Sequence, residues 1–337
     1  SAHADNTAGG QDVPFSSLSI SPVSLDSLPP ADSIFQSRLW ARFKASTGQE
    51  PLPFLVHFRG SVFSLVLLLR HGPGDLRYAY AADAPNLALH EDERGPFLEA
   101  LSLLLQRELP PSCAFIRFDT VWESPYRGPD YYTHTGQWKG LPRCEIRELR
   151  MNWGTREARL RKAPRDHLSP DTVLVSLVED EQTILARMRQ TTRNSIRRSQ
   201  RASVAVRPLL PDELPVGYEL YAQTALRKGI YCEGYDYFEA LAASSHEEAS
   251  GLEFFGAFLG SEMLASCALA WSGRGGYYLF AGSSERHRAC MPNYALQWEA
   301  LRYLKAKGCH SYDLLGVPPE NDTNHSMYGL YTFKTGF

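Results

Sequence analysis

Arg189, Arg193, Arg197 and Arg201 recur every fourth residue, so on one helix they form a single stripe with neighbours roughly 6 Å apart. Like charges at that spacing repel by ~0.2 to 0.5 kcal/mol per adjacent pair, and Arg187 and Arg198 lie close by. The stripe sits in a basic stretch: residues 141–210 hold fifteen Lys and Arg against eight Asp and Glu, a balance of +7 that leaves the rest of the chain at −10. RNA phosphates are one partner that would remove the repulsion; carboxylates elsewhere in the chain are the other. Six scattered cysteines show no CxxC and no histidine spacing that completes a tetrahedral site, so neither a metal nor a disulfide is expected. No Ser-His-Asp or Cys-His pairing is apparent.

The elements that must position such residues follow from periodicity and turn signals. Strands are predicted at 53–58, 62–69 and 76–81, then a helix near 96–108 and a strand at 114–119. Residues 122–142, rich in Tyr, Gly, Pro and Trp, read as a surface loop. A second series begins with a strand at 172–177, one helix over 181–201 and a strand at 204–208, with helices near 217–227 and 237–243. Three strands follow in succession (252–259, 263–271, 276–282), then a helix over 294–307 opened by Pro292 and closed by Gly308, and a strand at 311–317. Strand, helices, three-strand meander, helix, strand is the plan of the GNAT acyltransferase fold, and the first series repeats a degraded version. The expected fold class is α/β (α+β): tandem GNAT-like domains with mixed central sheets and a cleft between them, comprising a disordered tail at 1–16 and domains at 17–168 and 169–337.

With 337 residues, two domains are the default. A composition of 43% hydrophobic, 12% aromatic and 22% charged residues is that of an ordinary globular protein, and the longest apolar run, Val62 to Leu69, is far short of the ~20 residues that span a bilayer. A cytoplasmic monomer is expected.

Several stretches, ordered along the chain, resemble the FemABX family of aminoacyl-tRNA-dependent transferases, tandem GNAT-like proteins that add bridge amino acids to peptidoglycan precursors. They are Gln36-Ser-Arg-Leu-Trp40-Ala-Arg-Phe-Lys44, Ser169-Pro-Asp-Thr172, Arg193-Asn-Ser-Ile196-Arg197, Arg227-Lys-Gly-Ile-Tyr231 and Tyr278-Leu-Phe-Ala-Gly282. The most specific is Tyr328-Gly-Leu-Tyr-Thr-Phe333-Lys334-Thr-Gly336-Phe337, similar to a terminal Phe-Lys-x-Gly-Phe signature. Two departures stand out: there is no long coiled-coil insertion, and relatives continue past the position of Phe337 into a segment that returns to the first domain.

The resemblance implies transfer of an amino acid from aminoacyl-tRNA to a side-chain amine in the stem peptide of a UDP-MurNAc-pentapeptide or lipid-linked precursor, without a cofactor. Such an ester is already activated, so the enzyme must position an amine and stabilise an oxyanion. Lys334, next to Phe333, is the cation expected to do so; the alternative is an exposed strand lysine. Lys44 and Arg227 match positions that grip the precursor's diphosphate, with Trp40 and Tyr231 each four residues away and so on the same helix face, and Tyr278 beside them in the match. Asp119 matches a candidate base for the amine, although a carboxylate of ordinary pKa is a poor base for an ammonium, and a turn role is the alternative.

An acyl-CoA-dependent N-acyltransferase would share the fold. Its pyrophosphate loop needs small residues so that backbone amides can close on phosphate, and the corresponding Ser284-Glu-Arg-His-Arg-Ala-Cys-Met-Pro292 has no glycine. A non-enzymatic RNA-binding protein is the third reading.

Overall fold

The structure is a computed structural model and describes residues 15–123, 139, 159–161, 163, 166–318 and 327–337. Most of the expected tail and most of the 122–142 loop lie outside the described residues.

Two mixed sheets repeat one plan. In the first, β1 (Ser19–Pro22), β2 (Glu50–Phe58), β3 (Ser61–His71) and β4 (Arg77–Ala82) pair antiparallel in chain order, and α2 (Glu91–Glu108) then crosses over to β5 (Cys113–Asp119), which lies parallel to β4. In the second, β7 (Ala205–Pro208), β8 (Ser250–Leu259), β9 (Glu262–Ser272) and β10 (Gly275–Ser283) are antiparallel neighbours. There α7 (Pro292–Ala306) crosses over to β11 (Ser311–Gly316), parallel to β10, and β6 (Thr172–Ser176) closes the edge beyond β11. Antiparallel meander, helix, parallel return is the GNAT-like plan, and it occurs twice.

Each crossover helix covers one face of its sheet. Phe97, Leu101 and Leu105, spaced by four, seat α2 on Val56, Leu65 and Leu67. This helix starts at Glu91, ahead of the expected Pro96: three acids fill its first turn, and Glu93 reaches back to the His90 N–H at 3.3 Å. Phe15, expected in the tail, is instead buried against Phe58 and Phe97. In the second sheet Leu296, Leu301 and Leu304 of α7 pack on Cys267, Leu269, Tyr312 and Leu314.

The opposite faces meet at α1 (Arg38–Ser46), which is capped by Ser37. Its Ala41 packs on Val66 and Leu68 of the first sheet, while Leu39, Trp40 and Phe43 enter a cluster with Tyr221, Phe238, Phe254 and Leu279 of the second unit. At ~1.5 to 3 kcal/mol for each large apolar side chain buried, this seam holds the halves together. Just before it, the buried Gln36 amide donates to Ala82 O (2.7 Å) and Val66 O (3.3 Å) and accepts from Val66 N (2.8 Å), bridging β3 and β4 beyond the point where their direct pairing stops at Leu68↔Tyr80. On the other side Asp32 takes the Arg274 N–H (3.0 Å) and the Tyr277 hydroxyl (3.2 Å).

One element differs from expectation. The helix predicted over 181–201 is two helices, α3 (Glu181–Arg187) and α4 (Gln190–Arg201), broken where Met188 and Arg189 are extended. Tertiary bonds account for the break: Arg189 N donates to Gly336 O at 2.9 Å, and the Arg193 guanidinium caps the end of α3 by donating to Ala186 O (3.0 Å) and Met188 O. Between β7 and β8 lie α5 (Leu214–Lys228) and α6 (Tyr235–Ala242), and the chain's last helix is α8 (Tyr328–Lys334). Gly282 of β10 lies so close to α5 that a Cβ would overlap the backbone of Leu220 and Tyr221.

Candidate active site

Lys334 ends α8, and it is a buried helix lysine, only 6% exposed, in place of the exposed strand lysine of the alternative reading. Its motif explains the burial. Phe333 packs edge-on against Tyr294 of α7 (4.9 Å), Phe337 stacks on the same ring (5.9 Å), and Gly336 fits where a Cβ would overlap Thr192 of α4. Phe333 is therefore an anchor, and the chemistry expected of the pair rests on Lys334 alone. The anchored helix turns the lysine toward the second sheet, where Nζ donates to Gly316 O at 2.8 Å.

That carbonyl lies where β10 and β11 part. Their register runs Gly275↔Ser311 to Tyr277↔Asp313 and then stops, because β10 bulges at Phe280 (φ 44°) and β11 at Leu315 (φ 56°). Burial pushes the Lys334 ammonium down to about 8; the Asp313 carboxylate opposes this and Lys228 adds to it. Burial lifts Asp313 to about 6, against the hydrogen bond from Leu315 N. Asp313 was missed in the sequence; an acid inside the apolar run Tyr-Asp-Leu-Leu was the available signal.

Lys44 is a second buried lysine, 7% exposed. Its Nζ donates to the Tyr237 hydroxyl (3.0 Å) and lies 4.9 Å from the Tyr237 ring centre, 5.2 Å from Trp40 and 5.4 Å from Phe43. Burial, then the charge of Arg70, lowers it to about 8, with Glu233 opposing. Trp40 and Lys44 share a helix face as their spacing predicts, at the seam between the two halves.

The other expected contacts are placed differently. Arg227 directs its guanidinium onto its own unit, at Ser283 O (2.9 Å) and Thr224 Oγ1 (3.2 Å). Tyr231 is not on the helix of Arg227, because α5 ends at Gly229 in the left-handed region (φ 62°), and it stands 80% exposed. Tyr278 is buried in the core cluster under α7, which favours a packing role over the substrate contact expected of it. Asp119 is engaged as an acceptor by the Tyr80 hydroxyl (2.8 Å) and Leu168 N (2.9 Å), with Arg117 at 3.8 Å, which favours the turn-holding role over that of a base.

Of the arginine stripe, Arg193 is spent on capping α3, whereas Arg189, the N-cap of α4, stays exposed, as do Arg197 and Arg201 on one face. A cavity of about 320 Å³ lies near them between the end of α4, β7 and α7, lined by Gln200, Val206 and Trp298; it includes neither buried lysine. Before α7 the backbone bonds inward, Cys290 N to His287 O and Met291 N to Arg288 O, and Pro292 removes an amide from the first turn, which leaves fewer amides to close on a pyrophosphate. Among the described residues no helix is long and apolar enough to cross a membrane.

The fold is shared with a solved structure. The crystal structure of FemX superposes with a TM-score of 0.68 at 17% identity, covering 94% of this chain and 93% of that one. The lipid II:glycine glycyltransferase of Staphylococcus saprophyticus is 37% identical over 71 residues, and that of Staphylococcus aureus 32% over the same length; these matches span 21% of this chain and 17% of each relative. The model of the FemAB family matches residues 30–254 and 256–337, which take in α1 at the seam, the first sheet apart from β1, the second sheet and the Lys334 helix, and this chain belongs to the FemAB family.

Proposed function

We propose that this protein is an aminoacyltransferase that moves an amino acid from aminoacyl-tRNA to the side-chain amine of the stem peptide in a peptidoglycan precursor. The observation that carries the reading is Lys334: a buried ammonium anchored by the family's terminal motif at the parting of β10 and β11. Attack of the amine on the ester carbonyl builds negative charge on oxygen, and a preset cation in a dry site stabilises that charge without reorganising. No nucleophile of the protein's own is required, because the ester is already activated.

Lys44 is the group best suited to the precursor's diphosphate. It is desolvated, lies on the seam, and is held by a hydroxyl and ring faces in place of a carboxylate. Arg227 is the weaker candidate, since its guanidinium already holds Ser283 O. Arg197 and Arg201, with Arg189 at the helix start, are the phosphate contacts proposed for tRNA. The two units divide near residue 168, and the protein acts as a monomer in the cytoplasm, where charged tRNA is found.

Incubating the protein with charged tRNA and either UDP-MurNAc-pentapeptide or lipid II, followed by mass spectrometry, tests the proposal. One added residue on the stem peptide is the expected result. A product formed only with an acyl-CoA donor refutes it.

A further inference from the structure

Asp313 is an acid in an otherwise apolar strand, and the transfer reaction as described assigns it no part. The strand leaves its regular ladder directly after it: Leu315 takes a positive φ of 56°, and the pairing of β11 with β6 shifts between Asp313 and Gly316. This kink aims Leu315 N at Asp313 Oδ1 (2.7 Å) and leaves Gly316 O free to accept the Lys334 ammonium (2.8 Å). The carboxylate and the lysine's acceptor thus belong to one four-residue turn. Gly316 is wedged against Ser169, where a Cβ would overlap, so the turn has little room to shift.

We propose that Asp313 is a positioning residue, which acts through Lys334 by placing a carboxylate on the turn that carries that lysine's acceptor and so aims the lysine between β10 and β11. The proposal rests on the acyl-transfer role assigned to Lys334. The charges facing the pair from each element supply its physical need. Burial weakens the hold of Lys334 on its proton, Lys228 of α5 weakens it further, and among the described residues Asp313 opposes both. Burial likewise lifts Asp313, and Asp83 from the loop after β4 adds to this; the Leu315 N–H and Lys334 hold it down. Tyr277 and Tyr312 beside the carboxylate are kept neutral by burial. Between about 6 and about 8 the pair is therefore carboxylate and ammonium, the form that can meet an oxyanion.

The experiment pairs two readouts. One is kcat against pH for aminoacyl transfer by wild type, Asp313→Asn and Lys228→Met. The other is NMR titration of isotope-labelled lysine and aspartate side chains in the substrate-free protein, with Lys334→Met and Asp313→Asn identifying the resonances. In Asp313→Asn the alkaline limb and the Lys334 titration should both move down by about half a pH unit or more; in Lys228→Met both should move up. Lys334→Met provides the reciprocal arm, which needs no change at Asp313: without the ammonium, the Asp313 titration should rise. Equal loss of activity at every pH in Asp313→Asn, with the Lys334 titration unmoved, overturns the proposal. So does an Asp313 titration unchanged in Lys334→Met. Should wild type transfer no amino acid while the titrations shift as expected, the pairing stands and the reaction assigned to Lys334 falls.

Discussion

Replacing Lys334 with Met separates the chemical role of this lysine from its structural one, because the two are expected to change in opposite directions. Methionine nearly matches the lysine in length and fills the same site without a charge. Loss of a preorganised oxyanion contact costs ~3 to 4 kcal/mol, so kcat should fall by about a hundredfold or more while precursor affinity stays nearly constant. Stability should move the other way. The folded protein holds this group at about 8 against an ordinary value of 10.5. The unfolded chain therefore binds the proton more tightly, and folding bears a penalty that is complete below about 8 and relieved as pH rises toward 10.5. That difference corresponds to roughly 3 kcal/mol at neutral pH, less ~1 kcal/mol for the Gly316 carbonyl that Met leaves without its donor. Denaturant titration at pH 7 should show Lys334→Met to be at least as stable as wild type, with an advantage that shrinks between pH 8 and 10.5. Transfer from charged tRNA, quenched at short times, supplies kcat. Unaltered turnover would refute the catalytic role, and a slow variant that is also markedly less stable would refute the argument from desolvation.

Lys44→Ala should weaken precursor binding by ~1.5 to 3 kcal/mol in calorimetry, the scale of a charge-assisted hydrogen bond, and by more than Arg227→Ala, whose guanidinium is engaged at Ser283 O. Charge reversal at Arg197 and Arg201 together should raise the apparent constant for charged tRNA and flatten its salt dependence; an unchanged salt slope excludes this face. Gly282→Ala forces a methyl into the backbone of α5, and should lower stability by ~1 to 3 kcal/mol on chemical denaturation; wild-type stability would mean that α5 can withdraw from β10.

Much of the fold was legible because it is written locally. The apolar runs within 61–71 and 262–272, Gly260 and Gly273 at the turns, and the Pro292 to Gly308 bounds of α7 each act within a few residues, so element order, and with it the doubled plan, could be read along the chain. The terminal motif likewise marked Lys334. Tertiary structure decided what the charged residues do, since burial and partners come from distant segments. Arg189 and Arg193 share the spacing of Arg197 and Arg201, yet the end of α3 takes the Arg193 guanidinium, while the Gly336 carbonyl takes only the backbone N–H of Arg189 and leaves its side chain exposed like those of Arg197 and Arg201. Tyr231 and Trp40 have the same spacing from a basic residue, and a left-handed Gly229 removes one from its helix while the seam presses the other onto Lys44. An apolar run surrounds Asp313 and not Asp119, but nothing local says that Tyr80 and Leu168 fix the one while the other shares a turn with the acceptor of Lys334. That difference arises only when β11 kinks against α8, with the lysine and its acceptor 18 positions apart in sequence.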